Sequence, residues 1–69
     1  SDATAWYLSA ALARRTGDRT RAVTDIAQAL TLRPDDPDAL LLAGTIAGQN
    51  GNMAEAERRY RRVIEVAPD

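Results

Sequence analysis

Laid over itself at an offset of 34 positions, the chain matches without a gap. Leu8 recurs as Leu42, Ala13 as Ala47, Gly17 as Gly51, Ala22 as Ala56, and Pro34-Asp35 as Pro68-Asp69. Roughly three of the 35 overlapping positions should agree by chance, whereas eight do, so the period decides the architecture before any single residue does. Each copy closes on an amphipathic run that ends in Pro-Asp, first over 22–36 and again over 56–69.

Helical spacing fills the intervals between turn signals. A first helix is expected over 3–15, capped by Asp2, with Trp6, Ala10 and Ala13 at helical spacing and Leu8 and Leu12 nearby. Thr16-Gly17-Asp18 ends it, glycine supplying the left-handed residue and Asp18 an acceptor for the next helix. That second helix spans about 19–32, with Ala22, Val23, Ile26, Ala29 and Leu30 as its buried stripe. Asp36, Pro37 and Asp38 form a strong start for a third, whose inner face is Leu40, Ala43, Gly44 and Ala47. After the turn at 49–52, Asn52 and Glu55 have the spacing of a capping box for a fourth helix over 53–66. Its inner face carries Ala56, Tyr60, Val63 and Ile64, and Pro68 stops it. Connectors this short make consecutive helices antiparallel neighbours.

Composition excludes several function classes. At 69 residues the chain is one small domain, near the size where a core becomes marginal. It has no Cys and no His, hence no disulfide, no thiolate or imidazole metal site and no imidazole base. A net charge of −1 argues against a nucleic-acid binder. The halves differ: residues 1–34 hold five Arg against three Asp, residues 35–69 four Arg against seven acids. That asymmetry either helps copies stack head to tail or is scatter. Arginine without lysine, together with abundant alanine, reads as codon bias of a GC-rich, bacterial genome. The start of the chain is not a signal peptide, and the most apolar stretch, 39–47, is too short to span a bilayer. The expected setting is cytoplasmic, or periplasmic if the full-length protein carries a signal.

Across nearly its whole length the sequence resembles the tetratricopeptide repeat. Trp6 and Leu40 stand in the bulky slot of the first helix, and Ala10 and Gly44 in the small slot where the two helices cross. Gly17-Asp18 and Gly51-Asn52 form the inter-helix turn. Ala22 and Ala56 fill the small slot of the second helix, Ile26 and Tyr60 its aromatic slot, and Pro34 and Pro68 its terminal proline. Ser9 replaces the usual Leu, and Ala13 and Ala47 a frequent Tyr, which implies a thinner core or closer helices. The resemblance implies an all-α solenoid fragment: two antiparallel helix hairpins stacked as a right-handed superhelix, with repeat 1 at 3–36 and repeat 2 at 37–69. In its slot Trp6 faces the partner helix and is expected in the core, half exposed if no earlier repeat covers it. Two repeats are fewer than such arrays usually need, and no polar capping helix follows. A fragment of a longer array, or a unit that self-associates, is therefore expected.

The same resemblance places a concave binding groove on the first helix of each repeat. Its positions here include Tyr7, Ala11, Arg14 and Arg15, then Leu41 and Thr45, with Thr4, Leu8, Asp38, Leu42, Gly48 and Gln49 beside them. Tyr7, Ala11 and Leu42 occupy slots where a dicarboxylate clamp for chaperone tails would need Lys and Asn, which argues against that ligand. An apolar strip with arginines at one end suits a partner with an apolar anchor and a nearby acid, unless the leucines pack within the array and the arginines are merely solvated. Tyr60, Val63, Ile64 and Val66 form a stacking face with nothing in the sequence to cover it, so a homodimer or stacking on further repeats is expected. The arginines at 58, 59, 61 and 62 read as a solvated face paired as Glu55–Arg59, Glu57–Arg61 and Arg61–Glu65.

No catalytic, metal or cofactor site is expected. There is no phosphate loop or nucleophile elbow, and capping explains Asp35, Asp36 and Asp38. The function expected is a protein–protein interaction scaffold for a peptide, a partner helix or its own copies. The other reading is a non-catalytic positioning segment of a larger multidomain or envelope-assembly protein.

Overall fold

Two glycines shape both hairpins. Gly17 and Gly51 have φ of 85° and 82°, a left-handed conformation that a Cβ disfavours. After each glycine the chain bonds back across the helix end, Asp18 N to Ala13 O at 2.9 Å and Asn52 N to Ala47 O at 2.8 Å. The glycine amides donate to Arg14 O and Gly48 O, which completes the same carbonyl-closing motif twice. The computed structural model describes residues 2–67. It has α1 (Asp2–Thr16), α2 (Arg19–Leu32), α3 (Pro37–Gln49) and α4 (Met53–Val66), and no strand among the described residues.

Helix starts follow the expected caps. Asp18 accepts from Arg21 N at 3.1 Å, Asp36 from Asp38 N at 3.0 Å, and Asn52 from Glu55 N at 3.2 Å. Only half of the expected capping box forms at α4. The Asn52 amide is already spent on Ala47 O, and the Glu55 carboxylate is taken by Arg58 and Arg59. Asp2 is a second difference: it is the first residue of α1 rather than the cap before it. Arg33 and Ala67 end α2 and α4 at nearly the same backbone angles, φ −137° and −141°, ψ 82° and 71°. Each precedes a proline in sequence, and proline disfavours helical angles in the residue before it. Pro68 itself lies outside the described residues.

The helices pack in series, α1 on α2, α2 on α3 and α3 on α4, with a smaller α1–α3 contact. Small residues let the axes approach: Ala10, Ala13, Ala22, Ala29, Ala39, Ala43 and Ala56 are all buried. Ile26, Leu30, Leu40, Leu42 and Ile46 fill the space between them. Leu40 is the largest fully buried side chain, and burial of such a leucine contributes about 1.5–3 kcal/mol. Four positions expected on inner faces are exposed instead, two of them Tyr60 and Ile64 on α4. Val23 lies on the solvent side of α2, and Trp6 is exposed because no described element covers that side of α1.

Ser9 turns out not to thin the core. Its hydroxyl donates to Asp25 Oδ2 across the first hairpin, and Asp25 is 5 % exposed. Arg21 Nε stands 3.5 Å from the same carboxylate oxygen. A polar pair thus occupies the space where the repeat usually places leucine, and it keeps a buried carboxylate hydrogen-bonded.

The second hairpin is fitted differently. A Cβ placed on Gly44 would lie 2.6 Å from Cε1 and 2.8 Å from Cδ1 of Tyr60, so the ring rests directly on the glycine. Gly44→Ala is expected to destabilise the chain by about 1 kcal/mol, because overpacking costs about 1–3 kcal/mol and the gain in helix propensity returns about 1. In a Tyr60→Ala background the same substitution should become stabilising by about 1 kcal/mol, since only propensity remains. Urea unfolding of the four variants checks this, and an unchanged sign in the two backgrounds would refute the contact.

Candidate functional site

The residues expected to line a groove lie on α1 and α3, at differing exposure and beside two hollows. Tyr7 and Ala11 are half-buried and pack against the core. Tyr7, with Thr4 and Leu8, borders an open hollow of about 700 Å³ whose other wall is the α2–α3 connector and the start of α3, Pro34 to Asp38. Leu41 is exposed on α3, whereas its neighbour Leu42 is buried. Thr45 is half-buried and donates to Leu41 O at 3.0 Å. Its oxygen also lies 3.3 Å from Tyr60 Oη. With the single Thr45 proton already used, Tyr60 is the donor in that pair. Arg15 is exposed. Arg14 is half-buried and borders a second hollow, of about 350 Å³, together with Arg19, Gln49 and Asn50.

These two hollows differ in charge. Asp35, Asp36 and Asp38 border the first, with Arg33 beside them. Asp36 is spent on its cap, and Asp35 binds Arg62 through Nε at 3.1 Å and Nη2 at 2.8 Å. The second hollow carries two arginines and, among the described residues, no carboxylate. Tyr7 and Arg14 are two helical turns apart, so α1 runs from an acidic end to a basic end.

On α4 the four expected stacking residues separate into two pairs. Val63 and Val66 are half-buried and pack against the core. Tyr60 and Ile64 are exposed and, with Met53 and Ala56, border a shallow hollow of about 470 Å³. The internal repeat explains the difference. Ile26 and Leu30 occupy on α2 the positions of Tyr60 and Ile64 on α4, and α3 covers them. Leu30 is 8 % exposed and Ile64 is 68 % exposed.

The outer face of α4 is laced with ion pairs, with one change of partner. Arg59 Nε bonds Glu55 Oε2 at 2.7 Å and Arg61 bonds Glu57 at 2.6 Å, as the spacing predicts. Glu65 pairs with Arg62 at 3.0 Å rather than with Arg61. Arg62 also reaches Asp35, 27 residues away, and so links α4 to the connector that precedes α3. Its hydrogen bonds to Asp35, then to Glu65, push the guanidinium above its ordinary value. Sequence periodicity on one helix could not show that long-range partner.

A family model for the tetratricopeptide repeat matches residues 13–69. The four-helix fold and its two closing glycines lie on the same 34-residue period. The chain belongs to the tetratricopeptide repeat family. No curated protein matches it in sequence. Tetratricopeptide repeats generally mediate protein–protein interaction and are typically non-catalytic scaffolds. Among the described residues no cluster of His, Cys, Asp or Glu is arranged to hold a metal ion. None of the described helices is long and apolar enough to cross a membrane.

Within this tetratricopeptide repeat pair, Glu55 is a carboxylate whose titration is tied to its arginine partners. Partial burial raises its pKa, but the hydrogen bond and charge of Arg59, followed by those of Arg58, outweigh that and hold it below the ordinary value of 4.5. A depressed folded-state pKa gives stability that is present above the unfolded value and is lost as pH falls through the folded one. Wild type should therefore lose up to about 1 kcal/mol from this group as pH falls below about 4.5, the size expected of a screened ion-pair cluster. Glu55→Gln should flatten that part of the profile. Thermal unfolding at pH 6 and pH 3 measures it, and parallel profiles for the two proteins would refute the assignment.

Proposed function

We propose that this protein is a protein–protein interaction scaffold with two contact surfaces. One is the α1–α3 side, where Tyr7, Ala11, Leu41 and Thr45 form an apolar strip with Arg14 and Arg15 at its basic end. It suits an extended peptide or partner helix with an apolar anchor and a nearby acid. The other is the outer stripe of α4, which takes a further helix pair, either a neighbouring repeat or a second copy of the chain. On this reading residues 3–36 and 37–69 are two units of a stacking series.

A single comparison carries the second surface. The stripe that α3 covers on α2 is repeated on α4, where Ile64 and part of the Tyr60 ring are left facing solvent. An exposed Ile flanked by Met53 and Tyr60 is an apolar strip of the kind that marks association sites. A symmetric α4-on-α4 contact closes as a dimer, whereas head-to-tail stacking on α1 continues into longer species.

Light scattering on a size-exclusion column tests this directly. The expected result is a helical species of at least twice the 7.5 kDa chain mass. Ile64→Glu should return it to monomer with its helical circular dichroism intact. A well-folded monomer of the unaltered chain would sink self-association and leave only the α1–α3 surface.

A further inference from the structure

We propose that the hollow at the turn end of the first hairpin is a subsite for a carboxylate, presented by a glutamate or aspartate of an acidic peptide. The proposal rests on the reading of the α1–α3 side as a peptide-binding surface and assigns its basic end a specific ligand chemistry. The hollow lies where the last turn of α1 and the first turn of α2 meet the end of α3. Arg14, Arg19, Gln49 and Asn50 form its polar rim, and Ala22 and Ile46 its apolar floor.

Arg14 supplies the decisive observation. Its Nε is buried and has no hydrogen-bond acceptor among the described residues. A buried donor left unmade costs about 1–3 kcal/mol, and an acceptor brought by a partner removes that cost once the Arg14 side chain swings into the hollow. Neither Arg14 nor Arg19 forms an ion pair among the described residues, whereas Arg21, Arg58, Arg59, Arg61 and Arg62 all do. No carboxylate among the described residues borders the hollow. A guanidinium presents parallel donors that fit a carboxylate in a bidentate way, and the amides of Gln49 and Asn50 add further donors.

Two features favour a carboxylate over a phosphate. Helices α1 and α3 end at the hollow and α2 begins there, so two negative helix ends against one positive end disfavour a dianion more than a monoanion. The floor of Ala22 and Ile46 offers apolar surface to the methylenes of a glutamate side chain.

The test is a nitrogen-15 NMR titration of the full 69-residue chain. The probes are an acetylated, amidated Gly-Glu-Leu-Glu-Leu-Glu-Gly peptide, its glutamine counterpart, sodium acetate and inorganic phosphate. The glutamate peptide should shift the Arg14 Nε–H and the side-chain amides of Gln49 and Asn50. A charge-assisted bond contributes about 1.5–3 kcal/mol, so the glutamine peptide should bind at least about tenfold more weakly. Arg14→Gln and the more exposed Arg19→Gln should both lose that discrimination while keeping their circular dichroism, and Arg58→Gln should retain it. Equal binding of the two peptides, or discrimination unchanged in both arginine variants, would overturn the subsite. So would a stronger response to phosphate than to acetate at equal ionic strength. Shifts at Tyr7 and Leu41 without shifts at Arg14, Gln49 and Asn50 would sink the subsite but leave the peptide-binding surface standing. The reverse pattern would keep the subsite and sink that surface.

Discussion

Everything in this small fold depends on α3 being packed from both sides. It is the helix that touches all three others, and it carries the most buried side chains. Its run from Ala39 to Ala47 is the most apolar in the chain, yet it is only nine residues long. That length suffices because the covering helices meet it through alanines, which bring the axes close enough for Leu40, Leu42 and Ile46 to fill the gaps. A chain of 69 residues has little core to spare, so removal of either covering helix would expose much of what it has.

The two hairpins solve the same packing problem with different chemistry. In the first, Ser9 and Asp25 pair in the space between α1 and α2, with Arg21 at the mouth. In the second, the Tyr60 ring fills the space above Gly44 and anchors its hydroxyl on Thr45. The first solution buries a carboxylate and is tolerable only because the carboxylate is bonded. The second leaves an aromatic edge half in solvent, at the stripe a further helix would cover. The repeats are therefore alike in backbone and unlike in what they offer a neighbour.

Backbone features were largely legible in the sequence because they are local. Gly17, Asp18, Asp36, Gly51 and Asn52 act within a few residues of themselves, so turn chemistry alone placed all four helices to within a residue or so. What was missed depends on distance through space. Asp25 reads as one more solvated acid until Ser9, 16 positions earlier, is seen opposite it; the unusual serine was the available signal. Asp35 and Arg62 are 27 residues apart and offer no periodic clue. The α4 stripe has the spacing of one face, but Val63 and Val66 pack against the core, Tyr60 lies partly on Gly44 and Ile64 turns to solvent, a split visible only once α3 is in place.

Charge follows from the same geometry. Acids of the second half are consumed inside it: Glu55, Glu57 and Glu65 hold the arginines of α4, and Asp35 holds Arg62 against the connector. The first half has fewer acids than arginines, and two of its three acids are committed as well, Asp18 to a cap and Asp25 to Ser9 and Arg21. Arginines without partners therefore accumulate at the turn end of the first hairpin, where α1 and α3 both end. Helix C-termini stabilise nearby cations by a few tenths to about 1 kcal/mol, enough to hold Arg14 there but not to supply the acceptor its buried Nε lacks. An internal acid at that place would satisfy the guanidinium and close the surface. Its absence leaves one end of α1 complementary to negative charge, while the connector gives the other end an excess of carboxylates. A peptide lying along this side would consequently be read for direction as well as for composition.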